Sequence, residues 1–183
     1  SPTTLKIQDD LIQVTRCNRV EDLPWESEGV DLVLECTGAF NHRVDADKHL
    51  RAGAKRVLLS QPGDDYVDKT IVYGLNHSSL SGDDKVVSNA SCTTNAVIPI
   101  LNILHKAFDI RLGSLTTIHS AMNDQPTIDA YHHHDLRRTR SAMHNIVPVD
   151  TQLARGVERI LPELTGRLTA TAMRVPTINV SAI

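Results

Sequence analysis

Aromatic side chains are scarce. They make up 3% of the 183 residues, too few to build a stacking surface for unpaired bases. No charge excess would attract a polyanion either. The 19 basic and 22 acidic residues leave a formal net charge of −3, which argues against general affinity for nucleic acid or an anionic bilayer. No apolar run approaches the roughly 20 residues that span a membrane; the longest, 30–34 and 96–104, are short or interrupted. Cysteine is sparse, with only Cys17, Cys36 and Cys92 and no CxxC pair. That argues against a disulfide framework or a thiolate zinc site and suits a reducing compartment. The first residues show no charged-then-apolar leader, so a soluble cytoplasmic protein is the expectation.

What the sequence does hold is 40% hydrophobic residues in patterns that alternate between strand and helix. Residues 5–8 and 11–15 read as two strands around a turn at Asp9-Asp10. Residues 29–38 form a near-continuous apolar run ending in Thr37-Gly38, the pattern of a strand buried on both faces of a parallel sheet. Residues 44–52 have helical spacing and stop at Gly53, and 55–60 are the next buried strand. Strand, helix and strand in about thirty residues make a βαβ unit, whose ligands sit at the carboxyl ends of the strands. Those ends are Thr37-Gly38 and Ser60-Gln61. Residues 86–88 form a short strand, 89–95 a polar turn, 96–108 a helix and 113–121 a strand. The polar stretch 122–149 reads as a long loop of the kind usually kept for function. Asp150 or Thr151 is placed to cap a helix that buries Leu153, Ala154, Val157, Ile160 and Leu161. Residues 168–175 and 178–183 read as strands.

Cys92 sits where the polar turn enters a helix. Free backbone N–H groups and the positive end of the helix dipole favour a thiolate there. Thr93, Thr94 and Asn95 add hydroxyl and amide groups near any oxyanion that forms. A cysteine at a helix start, taken alone, is more often inert, and Cys17 and Cys36, on strand-like runs, fit that reading better. His119 ends a strand, where a lone histidine is commonly structural. A thiol and an imidazole brought together are nevertheless what nucleophilic catalysis requires.

Ser88-Asn-Ala-Ser-Cys-Thr-Thr-Asn95, then Thr116-Thr-Ile-His119 and Arg174-Val-Pro-Thr177, resemble the glyceraldehyde-3-phosphate dehydrogenase superfamily, as do Glu35-Cys-Thr-Gly38 and Gly53-Ala-Lys-Arg-Val57. Within it, Ser60-Gln61-Pro62, His119-Ser-Ala-Met-Asn-Asp-Gln125, Asp135-Leu-Arg-Arg-Thr-Arg140 and Val147-Pro-Val-Asp-Thr151 resemble the branch that oxidises D-erythrose 4-phosphate. The resemblance implies an α/β fold: part of a Rossmann-type parallel sheet in 1–90, then part of an α+β catalytic domain in 91–183. It implies NAD as cofactor, Cys92 as nucleophile and His119 as base. Ser91, Thr93, Thr151 and Arg174 match positions that hold substrate phosphate or inorganic phosphate, and Thr37, Gly38, Phe40 and Ser60 match positions lining the cofactor. It also implies a small sugar-phosphate substrate, a homotetramer when full length, and no resident metal. The GxGxxG turn and ribose-binding acid with which the family opens are not in this sequence, and family chains are nearly twice as long. A fragment that binds NAD poorly is therefore expected.

Departures from the family pattern bear on the acyl acceptor. Met122 replaces a phosphate-contacting threonine, and Asp150 and Gln152 flank Thr151 in place of a serine and a glycine. A thioether cannot donate to phosphate and a carboxylate repels it, so water is expected to cleave the thioester, with phosphate the alternative. The run His132-His133-His134, with His144 nearby, invites a metal reading, but consecutive loop histidines rarely converge on one ion. The cluster Arg137, Arg138 and Arg140 reads as an ion-paired or phosphate-facing loop. A non-enzymatic alternative is a truncated chain that keeps the fold's centre without cofactor affinity.

Overall fold

Thr4–Ile7 (β1) and Asp10–Gln13 (β2) pair as an antiparallel hairpin, exposed at every position. The structure, a computed structural model, describes residues 3–131 and 135–183. The chain divides into two units, Ser1–Ala90 and Ser91–Ile183.

In the first unit, Leu32–Glu35 (β3), Arg56–Leu59 (β4), Lys69–Thr70 (β5) and Val86–Ser88 (β6) form an all-parallel sheet in the order β3-β4-β6-β5. Between β3 and β4 runs α1, Arg43–Arg51. It ends where Gly53 turns the chain at φ +105, and there an added Cβ would fall 2.4 Å from the Cβ of Glu26. Only glycine satisfies both the backbone angle and that close approach. The core is Val33, Ala46, Ala54, Val57, Leu59 and Val86, with Trp25, Val30, Leu50 and Val67 packed around it.

The expectation that β3 is buried on both faces is overturned. Leu32 is 50% and Leu34 61% exposed, while Val33 and Glu35 are buried. β3 lies at the sheet edge, and its buried side chains are those on the α1 side; among the described residues nothing covers the other face. Nor do Cys17 and Cys36 lie within strands; both are exposed in irregular backbone.

In the second unit, Cys92–Phe108 (α2) starts at the cysteine itself, one turn earlier than the apolar spacing marks. Gly113–His119 (β7), Val147–Val149 (β8) and Leu168–Arg174 (β9) make a mixed sheet in the order β7-β9-β8, with β7 parallel and β8 antiparallel to β9. Leu153–Ile160 (α3) precedes β9. Of the apolar stripe read from the sequence, Leu153, Val157 and Leu161 are buried, while Ala154 and Ile160 are only partly so.

Three expectations in this unit need correction. The stretch 122–149 is not loop throughout, since it holds a 3-10 turn, Leu136–Thr139, and strand β8. The N-cap position of α3 is Gln152, which makes no side-chain cap, while the Thr151 hydroxyl accepts from the Leu153 N–H at 3.2 Å. Residues 178–183 are not a strand, and pair only through the bridge Ile118–Ala182. Val180, at φ +67, breaks the extended backbone. No described helix is long and apolar enough to cross a membrane.

Candidate active site

The turn that carries Cys92 is built by Ser91. Its Oγ accepts the Thr94 N–H at 3.0 Å, capping α2, and lies 2.6 Å from the Thr94 hydroxyl. Asn95 closes the turn from its side-chain amide to the Ser91 carbonyl, 3.0 Å. Just before it, Ala90 is buried in the left-handed region at φ +56, a conformation that costs an L-residue about 1–2 kcal/mol. The turn is thus held under backbone strain, as functional sites often are. Gly156 of α3 packs against the same turn; a Cβ there would meet the Thr94 hydroxyl at 2.9 Å. Cys92 is therefore the first residue of a fixed helix, and its thiol is exposed.

The second half comes from β7. His119 is its last residue, and its Nε2 lies 3.6 Å from the Cys92 Sγ. The two residues singled out separately in the sequence therefore meet within hydrogen-bonding range for sulfur. On the other side of the ring, Nδ1 lies 2.8 Å from the Ser120 carbonyl oxygen and 2.8 Å from Nη1 of Arg174. Strand register explains the second contact, because Arg174 is the β9 partner of His119. Burial pushes the Arg174 guanidinium below its ordinary range; the charge of Asp124 and the Cys92 sulfur oppose this, and Arg138 adds repulsion.

The residues matched to phosphate positions make different contacts. Ser91 and Thr93 lie beside Cys92, their hydroxyls 3.2 Å apart, with the Ser91 oxygen already engaged as a cap. Arg174 lies against His119. Thr151 lines a cavity of about 430 Å³ with Arg137, Asp150, Gln152 and Thr171 among others, a lining that includes neither Cys92 nor His119. Asp150, expected to repel phosphate there, is ion-paired with Arg137 at 2.8 Å. Arg138 pairs with Asp124 and Arg140 with Asp129, so the basic cluster is an ion-paired loop. Among the described residues no three potential metal ligands converge. The run His132-His133-His134 lies outside the described residues.

In the first unit, the expected cofactor residues gather at the carboxyl ends of β3 and β4. Gly38 has φ +74, and an added Cβ would meet nothing within 4 Å, so the turn is open. Gln61 links the two strand ends, donating to the Phe40 carbonyl at 2.8 Å and accepting from the Ser60 hydroxyl at 2.9 Å. This open, polar strand end fits part of a dinucleotide. A network that sequence reasoning missed supports it. Buried Glu35 accepts the Thr37 N–H at 2.7 Å and the Thr37 hydroxyl at 2.5 Å, and its other oxygen lies 3.2 Å from Nε2 of buried His49. The acid of Glu35-Cys-Thr-Gly38 is thus consumed in holding its own turn. Its place two residues before Thr37 was the only signal available.

Comparison with known families matches two segments of the chain. Residues 91–183 match the family described as glyceraldehyde 3-phosphate dehydrogenase, C-terminal domain, and residues 1–43 match glyceraldehyde 3-phosphate dehydrogenase, NAD binding domain. With half the chain covered by the first match alone, and a thiol–imidazole pair inside it, the chain belongs to the glyceraldehyde 3-phosphate dehydrogenase family of NAD-dependent oxidoreductases.

Proposed function

We propose that the protein oxidises a small sugar-phosphate aldehyde, D-erythrose 4-phosphate, to the acid through a thioester on Cys92. The observation that carries the reading is the 3.6 Å separation of the Cys92 Sγ and His119 Nε2 at the start of α2. The Cys92 sulfur adds to the aldehyde carbon, forming a thiohemiacetal whose oxygen is met by donors of the helix start. His119 takes the hydroxyl proton as the carbonyl re-forms. NAD, when bound, supplies the hydride acceptor. Water then adds to the thioester carbon, the C–S bond breaks, and the acid leaves with Cys92 restored. Thr37, Gly38, Phe40 and Ser60 are the residues proposed to line the cofactor, and the half-buried guanidinium of Arg174 is proposed to hold the substrate phosphate.

Met122, 41% exposed, offers no donor to a second phosphate, which favours water as acyl acceptor. One observation favours the alternative. Asp150 is neutralised by Arg137, so its charge no longer argues strongly against inorganic phosphate near Thr151. An assay of D-erythrose 4-phosphate and glyceraldehyde 3-phosphate, each with and without inorganic phosphate, separates the two. Oxidation of the four-carbon substrate without phosphate is expected. Strict phosphate dependence together with preference for the three-carbon substrate would overturn the branch assignment and leave the catalytic pair intact.

A further inference from the structure

His119 Nδ1 has two neighbours at hydrogen-bond distance, and it can satisfy only one of them. The Ser120 carbonyl, at 2.8 Å, is an acceptor only and needs a proton on Nδ1. The Arg174 guanidinium, also at 2.8 Å, is a donor only and needs Nδ1 bare. These are opposite tautomers of one ring, and they differ at the atom that faces Cys92. With Arg174 donating, a neutral ring carries its proton on Nε2, which points at the sulfur and cannot act as a base. With Nδ1–H donating to Ser120, Nε2 is bare and can.

We propose that Arg174 is a positioning residue that sets the tautomer of His119, and that a phosphate group drawing Arg174 away converts the imidazole into a competent base. Two further observations and one general principle support this. Arg174 is half-buried and, among the described residues, makes no ion pair; the Asp124 carboxylate acts on it only as a nearby charge and does not outweigh its burial. An oxyanion is the ligand such a guanidinium binds most strongly, through paired N–H donors. Arg174 and His119 are also register partners in β7 and β9, so a swing of the guanidinium alone, with no backbone movement, breaks the contact. The tautomer change is proton-neutral: Nε2 gives its proton to water and Nδ1 takes one from water, and nothing is oxidised or reduced. Phosphate recognition and base activation thereby become one event. The inference rests on Arg174 as the phosphate ligand of the proposed function.

The test is ¹⁵N NMR of histidine-labelled protein at about pH 8.5, above the ordinary histidine range, with the His119 signals assigned by their loss in H119N. Without phosphate, the unaltered chain is expected to show His119 bare at Nδ1 and protonated at Nε2. Titrated inorganic phosphate should invert this, and R174M should be inverted without phosphate and indifferent to it. Loss of one hydrogen bond to a charged group predicts a change of about 10- to 100-fold in the tautomer ratio. A resting ring protonated at Nδ1, a doubly protonated ring, or an R174M ring unchanged from the parent would each overturn the proposal. Inversion in R174M with no phosphate response in the parent would overturn phosphate as the releasing ligand. The titration of the unaltered chain needs no variant, so a misfolded R174M does not shield the idea. None of these spectra requires turnover. Failure to oxidise any sugar phosphate would sink the proposed function without touching them.

Discussion

Trp25 donates its indole N–H to Nδ1 of His49 at 3.0 Å. Because indole can only donate, that bond leaves the His49 Nε2–H to face Glu35, which in turn fixes both polar groups of Thr37. Replacing Glu35 with glutamine would put an amide nitrogen where one of these donors needs an acceptor. We expect E35Q to lose about 1–3 kcal/mol of stability, the cost of a buried polar group left unpaired, and to weaken NAD binding as the Thr37-Gly38 turn relaxes. Denaturant unfolding and calorimetry of the full chain measure the two. Unchanged NAD affinity in a destabilised E35Q would reduce the network to a structural one.

All three cysteines are exposed, so access alone does not rank their reactivity. Cys17 donates its thiol to the Asp22 carbonyl at 3.3 Å, and Cys36 follows an edge strand. Only Cys92 has both a helix N-terminus and an imidazole beside it. Cys92 is therefore expected to be alkylated first by iodoacetamide near neutral pH. Peptide mapping that found Cys17 or Cys36 modified faster would remove the thiolate argument for this site.

Acid should destabilise the first unit through Asp68. Burial alone would raise this carboxyl, but the N–H of Val86, the Arg43 guanidinium and the N–H of Lys85 outweigh it and hold it below the ordinary range. A carboxylate depressed by folding contributes stability that is complete above its unfolded value, about 3.9, and is lost as pH falls through the lower folded value. D68N is expected to cost about 1–2 kcal/mol at pH 7, toward the low end for bonds to a charged group because the side chain is partly in water. Its stability should also fall less than the parent's below about pH 4. Parallel acid limbs for parent and D68N would rule out Asp68 as the group responsible.

Hydrophobic period carried most of the fold. Apolar spacing and β-branched runs marked β3, α1, β4, β6, α2, β7, α3 and β9, and in β4, α2 and α3 spaced apolar residues are buried. The pattern missed β5, two polar residues that pair with β6 and carry no hydrophobic alternation. It missed β8 because Pro148 sits in its middle, which a strand tolerates at a sheet edge, and β8 is an edge. The run 178–183 has strand-like residues, but Val180 adopts a left-handed angle that propensity does not reveal. In the site, Cys92 and His119 were legible as types in suitable settings. Their contact spans a helix and a strand 27 residues apart, a separation no local pattern encodes. For Arg174 the family resemblance implied a phosphate position; its contact with His119 depends on β7–β9 register and was not legible.

His119 should affect rate more than binding. Its Nε2 lies 3.6 Å from the Cys92 sulfur, so in the proposed reaction the proton it would take moves only as the thiohemiacetal collapses. An interaction made only in the transition state changes kcat and leaves ground-state affinity nearly untouched. Asparagine keeps a polar side chain at the strand end but offers no base, so H119N is expected to slow hydride transfer by about 10²–10⁴-fold. KM should change little by comparison. Single-turnover measurement of cofactor reduction separates the chemical step from product release, and the loss should appear there. A variant with normal single-turnover rate and raised KM would make His119 a binding residue. In that case the 3.6 Å contact with Cys92 would describe packing at the helix start, and the general base would have to be sought elsewhere.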